Sequence, residues 1–158
     1  MKNSIENFYT AFSKLDSETM VSYYHKDIIF EDPAFGILKG ERAKNMWRML
    51  CESQKNKNFQ VSFSNIEANE NKGTAHWEAH YIFSKTGRTV HNSIQAYFEF
   101  KDGKIIKHTD KFNLYNWSKQ ALGLKGFVLG NTKYFRHKLK AQTNRLLDSY
   151  EKNKANSN

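Results

Sequence analysis

The chain has 158 residues, of which 39% are hydrophobic, and it carries one cysteine and a formal net charge of +9. This length suits one compact domain with its own core, and a single cysteine excludes an internal disulfide framework. Apolar runs stay well short of the roughly 20 residues that cross a bilayer, and the N-terminal MKNSIENFY lacks the apolar core of a secretion signal. We therefore expect a cytoplasmic protein.

Most of the positive charge lies in the C-terminal part of the sequence. From Lys119 onward there are nine basic and two acidic residues, which account for +7 of the net +9. This distribution favours the solvated face of a helix, and a nucleic-acid or anionic-membrane surface is the alternative interpretation.

The first 53 residues show the spacing of three helices and one strand. Apolar residues recur at helical spacing in SIENFYTAFSKLD, in DSETMVSYYHKD and in KGERAKNMWRMLCES. Between the second and third of these segments, Ile28 to Asp32 is β-branched and aromatic and stops before Pro33, the only proline of the chain. The predicted order is helix, helix, strand, helix.

Four strand-like segments follow, separated by the turn sequences NENKG, KTG and KDG: FQVSFSNIEA, GTAHWEAHYIFS, RTVHNSIQAYFEF and KIIKHTDKFNLY. Consecutive strands with short turns predict an antiparallel meander. Helices at one end and strands at the other indicate an α+β fold, with the helices covering one face of a curved sheet.

The last segment, TKYFRHKLKAQTNRLLDSYEKNK, has the pattern of a basic amphipathic helix. Phe135, Leu139, Leu146 and Tyr150 are predicted on its apolar side. We expect this helix to pack across the domain; clasping a second subunit and lying on an anionic membrane surface are the alternatives. Residues after Lys152 are expected to be disordered.

Alternation along the strands places two ionisable residues in the predicted core. In KIIKHTDKF, His108 and Asp110 share a face with Ile106 and Phe112. Buried ionisable side chains need partners or a ligand to offset the loss of hydration. Asp32, at the end of the first strand, is a further member of this predicted group.

The same alternation divides the two preceding strands. Trp77 and Tyr81 belong to a ring-rich inner face, and Asn92 is the polar exception on the inner face of the next strand. His76, Glu78 and His80 share the outer face. The two histidines are about 13 Å apart along the strand, too far to bind one ion, so no metal site is predicted.

The element order, and FEDPAFGILKGERA in particular, resembles the NTF2-like superfamily, in its ketosteroid isomerase and SnoaL-like polyketide cyclase branch. HTDKFNLYNWSKQALG is also similar to the last strand and following turn of SnoaL-like proteins. The resemblance implies a cone-shaped α+β domain over residues 1–124, in which N-terminal helices and a strongly curved mixed or antiparallel sheet enclose a pocket. Residues 125–158 would form a C-terminal helical extension. Sheet-to-sheet pairing in such domains implies a homodimer.

The resemblance also implies site residues. Asp32 matches the general base in the EDP run of ketosteroid isomerases, whereas Phe8 and Ala96 stand where that family has its two oxyanion donors. The mechanism of that family is the standard example of a neutral carboxylic acid that donates a hydrogen bond. The absence of both oxyanion donors from this sequence argues against steroid isomerisation. In SnoaL-like cyclases the chemistry is attributed to aspartates and histidines, which match His108 and Asp110.

Two functions of different class follow from this interpretation. One is an acid/base enzyme of the isomerase, cyclase or hydrolase type that acts through Asp32, His108 and Asp110 on an apolar cyclic or carbonyl compound. The other is a binding module that holds an apolar ligand without catalysis. No cofactor is expected in either case. The predicted ligand contacts are Tyr24, Trp47, Trp77, Tyr81, Asn92 and Phe112.

Overall fold

The computed structural model describes residues 1–156, which form six helices and six strands. The helices are α1 (Lys2–Ser13), α2 (Ser17–Ser22), α3 (Gly40–Gln54), α4 (Leu114–Leu122), α5 (Leu124–Leu129) and α6 (Lys133–Asn156). The strands are β1 (Tyr24–Asp32), β2 (Gly36–Lys39), β3 (Gln60–Ala68), β4 (Lys72–Phe83), β5 (Arg88–Lys101) and β6 (Lys104–Lys111).

The six strands form one mixed sheet in the order β2-β1-β6-β5-β4-β3. β3 to β6 are the predicted antiparallel meander, and β1 joins it as a parallel neighbour of β6. α1 packs on β3 and β4, and α3 packs on β1 and β2, so the N-terminal helices cover the inner face of the curved sheet. The predicted α+β cone is confirmed.

The inner faces of β4 and β5 carry the residues that alternation predicts. Trp77 and Ala79 are buried on β4, as are Ile94, Ala96 and Phe98 on β5. These side chains meet the rings of α1 in a single apolar core. Burial of this aromatic surface is the main contribution to the stability of the fold.

On β6 the alternation is interrupted, which corrects one predicted inward residue. Lys107 lies opposite Glu99 and Ile105 lies opposite Phe100, so a bulge leaves Ile106 without a partner on β5. As a result Ile105, and not Ile106, is fully buried. His108 stays on the inner face, as predicted.

The segment after β6 contains two helices that the sequence interpretation did not predict. The Asn113 side chain caps α4, because its oxygen accepts a hydrogen bond from the Asn116 amide at 2.9 Å. α5 then packs very closely on α4. A Cβ atom at Gly126 would lie 1.8 Å from the carbonyl oxygen of Ser118, so only glycine fits there.

The C-terminal helix α6 packs across the domain, in the first of the three expected arrangements. Its fully buried residue is Leu147, whereas Leu146, the predicted apolar contact, is 56% exposed. Phe135, Leu139 and Tyr150 pack against the core as predicted. The helix continues to Asn156, so the residues after Lys152 are helical as far as the described part of the chain reaches. Within that part, no helix is long and apolar enough to cross a bilayer.

Candidate functional site

A chain of hydrogen bonds runs through the core between β1, α3, β4 and β6. Trp47 Nε1 donates to the Tyr24 hydroxyl oxygen at 2.7 Å, and that hydroxyl is 2.7 Å from His108 Nδ1. On the other side of the ring, His108 Nε2 is 3.0 Å from Asp110 Oδ1, which also accepts a hydrogen bond from Trp77 Nε1 at 3.2 Å. Five side chains from four elements thus form one buried network.

The donors in this network determine the protonation pattern that satisfies every member. Tryptophan can only donate, so Trp47 uses a lone pair of the Tyr24 oxygen and leaves the hydroxyl proton for His108 Nδ1. The proton of the imidazole then lies on Nε2 and points to Asp110. In this arrangement Asp110 accepts two hydrogen bonds on the same oxygen, Oδ1.

Aromatic rings enclose His108 on several sides. The ring centroids of Phe98, Phe30 and Phe8 lie 4.4, 5.3 and 5.6 Å from the imidazole, and Trp47 stacks on it at 5.9 Å. His108 has no exposed surface. Inside this apolar shell, electrostatic interactions are stronger than in water, and an unpaired charge would be costly.

Asp32 lies next to this network on the neighbouring strand. In the parallel pairing of β1 with β6, Phe30 is opposite His108 and Glu31 is opposite Thr109, so Asp32 follows on the face that carries Asp110. Burial and, to a smaller extent, the nearby charge of Asp110 raise the pKa of Asp32 to about 7, against backbone hydrogen bonds that lower it.

Those opposing hydrogen bonds come from the turn between β1 and β2. The amides of Ala34 and Phe35 donate to Asp32 Oδ1 at 3.0 and 2.6 Å. Asp32 therefore fixes the turn and remains half-buried at the edge of the network, with no direct hydrogen bond to His108 or Asp110. The structure brings the three predicted residues to one face, with His108 and Asp110 in direct contact.

Tyr9 on α1 was not among the predicted site residues. Its side chain is fully buried, and its hydroxyl has no hydrogen-bond partner. Burial raises the pKa of this phenol, and the charge of Asp110 adds to the effect. A buried hydroxyl without a partner is rare and marks a position where a ligand or a water molecule can bind. Tyr9 is one of the apolar positions at helical spacing in SIENFYTAFSKLD, but it was expected to face another direction than Phe8, and no sequence signal indicated an unpaired hydroxyl.

The six predicted ligand contacts fall into two groups. Tyr24, Trp47 and Trp77 are members of the buried network. Tyr81 and Phe112 lie further along the sheet between two apolar clusters, where the Tyr81 hydroxyl accepts a hydrogen bond from Trp117 at 2.8 Å. Asn92 is half-buried on the inner face of β5, opposite Ala79.

Helix α6 covers the turn that Asp32 stabilises. Thr143 Oγ1 donates to the Ala34 carbonyl at 2.8 Å, and Asn144 Nδ2 donates to the Phe35 carbonyl at 2.9 Å. Further along α6, Asp148 and Glu151 form salt bridges with Arg42 of α3. The helix therefore bridges α3 and the turn between β1 and β2, at the edge of the interior nearest Asp32.

Two depressions on the surface lie away from this group. One, of about 310 Å³, is on the outer side of the sheet beside Glu31, Tyr97 and Lys107. The other, of about 420 Å³, is on α6 beside Asp148 and Glu151. Neither is lined by Asp32, His108 or Asp110, so in this conformation the inner group is closed off from both.

Comparison with known proteins places this architecture in a family. The model of the SnoaL-like domain family matches residues 5–108. No curated protein is similar enough to match the chain.

Several solved structures share the fold. A candidate polyketide cyclase from Xanthomonas campestris pv. campestris is 19% identical, with a TM-score of 0.61 over 75% of this chain and 94% of that one. An LEH-like epoxide hydrolase from M. tuberculosis is 22% identical, with a TM-score of 0.60 over 81% and 89%. TerC, co-crystallised with polyporic acid, is 15% identical, with a TM-score of 0.63 over 75% and 95%. The family match covers more than half of the residues, and the chain therefore belongs to the SnoaL-like domain family, with an NTF2-like fold.

Proposed function

We propose that the chain binds a small apolar cyclic or carbonyl compound inside the cone and transfers protons to or from it with Asp32, His108 and Asp110. The observation that carries this proposal is the buried His108–Asp110 pair on the inner face, beside Asp32 on the adjacent strand. Buried ionisable groups cost stability, and their convergence beside an unpaired hydroxyl is typical of sites that handle a ligand.

The three groups suit proton removal from a carbon atom next to a carbonyl. With a pKa of about 7, Asp32 is partly ionised at neutral pH and able to accept that proton. The electron pair of the broken C–H bond then moves onto the carbonyl oxygen, where a hydrogen-bond donor stabilises the negative charge. Return of the proton to a different carbon completes an isomerisation. In a cyclisation the carbanion attacks a second carbonyl of the same molecule, and the alkoxide that forms takes up the proton held by Asp32.

Tyr9 is the donor that fits this role. Its hydroxyl is a buried polar atom without a hydrogen-bond partner, and the raised pKa keeps it protonated at neutral pH. The His108–Asp110 pair has a different role, as a hydrogen-bond acceptor. Both of the hydrogen bonds described for Asp110 end on Oδ1, and we propose that its Oδ2 atom accepts a hydrogen bond from the bound compound.

Entry of the compound requires the interior to open. The most direct route is a movement of the turn between β1 and β2 away from α6. Two side-chain hydrogen bonds, from Thr143 and Asn144, join this turn to the helix. The named activities of the structural neighbours, polyketide cyclase and epoxide hydrolase, are consistent with a small apolar substrate.

The alternative is that the same interior holds a ligand without chemistry. An acid/base enzyme exchanges protons between the bound compound and water, whereas a binding module does not. We therefore propose to screen cyclic ketones and quinones by thermal shift and to incubate the stabilising compounds with the protein in D₂O. NMR measures the incorporation of deuterium at the carbon next to the carbonyl. This incorporation reports proton removal even when the product of the reaction is not known.

Asp32→Asn is the variant for this test. Asparagine keeps an oxygen that can accept the hydrogen bonds from Ala34 and Phe35, so the turn is retained while the base is removed. An enzyme is expected to lose on the order of 10²-fold or more in the exchange rate and still bind the compound.

Glu31→Gln is the matched control. Glu31 is the adjacent carboxylate, but it is exposed on the opposite face of β1. The Glu31→Gln variant should leave the exchange rate unchanged. Equal exchange in the Asp32→Asn variant and the unmodified protein would contradict the assignment of the base, and binding without any exchange would favour the binding module.

A second candidate function, contact with an anionic membrane surface, is favoured by one feature of α5. Leu124, Phe127 and Val128 are 77%, 60% and 64% exposed, and Lys125 and Lys133 lie beside them in the sequence. Exposed apolar side chains among basic residues suit the interface of an anionic bilayer.

Vesicle co-sedimentation tests this candidate. We expect binding to phosphatidylserine vesicles that is weaker with neutral phosphatidylcholine and is reduced in a Phe127→Ser and Val128→Ser double variant. Ile82→Ser, at an exposed residue of β4, is the control that should bind normally. Equal binding of the double variant, or no binding to either vesicle, would exclude the proposal.

A further inference from the structure

The outer face of the sheet carries a second group of histidines around one carboxylate. His80 on β4 and His91 on β5 are directly opposite each other, and their rings stack with centroids 3.9 Å apart. Glu78 lies two residues before His80 on the same face, and its Oε2 is 3.0 Å from His91 Nε2. The pairing of two strands therefore brings together residues that are separated in the sequence.

We propose that Glu78, His80 and His91 bind a divalent transition-metal ion of the Zn²⁺ class. One donor atom from each residue can be chosen so that all three lie within 4.8 Å of one another. Ligands about 2.0–2.2 Å from one Zn²⁺ ion in a tetrahedral arrangement are separated by roughly 3.4 Å, so the site closes when the two stacked imidazoles rotate until their nitrogens converge on the ion. Two imidazoles, one carboxylate and a water molecule form a common four-ligand set for zinc.

The position of this group explains why the sequence alone excluded a metal. Along β4, His76 and His80 are too far apart to share an ion, and that argument still holds. The third donor comes instead from β5. His91 reaches the group because the register of the antiparallel ladder places it opposite His80 and diagonal to Glu78.

His76 has a supporting role in the proposed site. Its Nε2 is 3.2 Å from Glu78 Oε1, the carboxylate oxygen that does not contact His91, and 3.4 Å from Ser93 Oγ. A hydrogen bond to the second oxygen of a ligating carboxylate orients it toward the metal. His76 is therefore a positioning residue and not a ligand.

In the single chain, the surroundings allow an ion to reach the group. His80 and His91 are exposed, and Glu78 is partly exposed on the outer side of the sheet, away from the His108 network. A glutamate carboxylate is ionised at neutral pH and is available as a ligand. A metal bound through Nε2 of His91 leaves the imidazole proton on Nδ1.

Isothermal titration with Zn²⁺ at neutral pH tests the proposal on the full chain. We expect one ion for each chain. His80→Ala, His91→Ala and Glu78→Gln should each weaken binding by about 100-fold or more, and His76→Ala should weaken it by about 10-fold, as is typical of residues that orient a ligand. His137→Ala, at an exposed histidine of α6, is the matched control and should bind as the unmodified chain does.

Co²⁺ provides an independent measurement on the same variants. A tetrahedral site with nitrogen and oxygen ligands gives intense visible absorption that is lost when His91 is replaced. Circular dichroism of each variant without metal should be unchanged, since the residues are on the surface. Zn²⁺ binding that is unaffected by His91→Ala, or that depends on His137, would overturn the proposal. So would a Co²⁺ spectrum typical of a six-coordinate ion.

Discussion

Two motifs with the same spacing lie on opposite faces of one sheet. His108–Thr109–Asp110 on β6 and His76–Trp77–Glu78 on β4 each place a histidine two residues before a carboxylate. In each, the imidazole nitrogen and a carboxylate oxygen are 3.0 and 3.2 Å apart, respectively. The inner pair has 0% and 4% of its side-chain surface exposed, and the outer pair has 28% and 33%.

The difference between these pairs lies in their surroundings and not in their own chemistry. Inside, a polar atom that loses water costs stability unless it finds a fixed partner, and Tyr24, Trp47 and Trp77 supply the partners for the inner pair. Outside, water replaces any partner that is removed, so the same contact contributes little to stability.

Replacement of the two histidines should have very different effects on stability. His108→Leu leaves Asp110 and the Tyr24 hydroxyl buried without their shared partner, and breaking a buried pair in this way typically costs about 3–5 kcal/mol. His76→Leu, the matched change on the outer face, should alter the free energy of unfolding by about 0.5 kcal/mol or less. Urea unfolding at pH 7 measures both. Similar losses in the two variants would contradict the contrast drawn here.

The adjacent leucines of α6 extend the contrast to apolar side chains. Leu147 is fully buried, whereas Leu146 is 56% exposed. Leu147→Ala should therefore lower the free energy of unfolding by about 2–5 kcal/mol, and Leu146→Ala by about 0.5 kcal/mol or less. Thermal or urea unfolding distinguishes them. A small loss in Leu147→Ala would mean that α6 does not contribute to the core in solution.

Asp32 gives the interior a characteristic pH dependence. Its pKa is raised from 3.8 to about 7 in the folded chain, so between these values the folded chain holds a proton that the unfolded chain releases. Stability from this group is present below about pH 4, falls as the pH rises to 7 and is constant above it.

The comparison of the native chain with Asp32→Asn isolates this effect. The free energy of unfolding of the native chain, relative to the variant, should fall by on the order of 1–4 kcal/mol between pH 4 and pH 8. Glu31→Gln should show no such change relative to the native chain. Curves for Asp32→Asn and the native chain that run parallel over this range would show that the Asp32 carboxyl titrates normally.

The last prediction concerns the oligomeric state of the chain and the outer face of the sheet. We propose that the chain forms a homodimer through the face that carries His91, Ser93, Gln95, Tyr97 and Glu99, where Tyr97 is 42% exposed. Light scattering at micromolar concentration should give about 37 kDa, twice the 18.6 kDa of the chain. Tyr97→Glu should shift the mass toward the monomer. A mass of 18.6 kDa for the native chain would exclude the dimer, and repetition with Zn²⁺ would show whether metal and assembly are linked.

Local patterns in the sequence were sufficient for the main elements. Periodicity predicted α1, α3 and the four strands of the meander, and alternation identified His108 and Asp110 as inward residues. These predictions succeed because side-chain direction in a helix or a strand depends on the local backbone repeat. The resemblance carried by FEDPAFGILKGERA added the fold family.

Two further features were missed, and the sequence signalled only one of them. At about 100° per residue Leu146 lies closer than Leu147 to the direction of Phe135 and Leu139, so the helical period gave no sign that Leu147 is the buried leucine. The Asn113 cap with Leu114 and Trp117, in contrast, marks the start of α4, which was read as the end of a strand. The α4 error comes from extending a hydrophobic strand pattern past a capping residue, whereas the burial of Leu147 depends on how α6 packs on the domain.

The sequence by itself determined which residues point inward and which point outward, because that property depends on the backbone repeat of each element. Only the tertiary structure decided which of them meet. The bulge that turns Ile105 inward, the parallel pairing that sets Asp32 beside Asp110, and the ladder register that brings His91 to Glu78 all arise between strands. Register between strands is fixed by the packing of the whole core, and the sequence of one strand does not specify which residues of another strand lie opposite it.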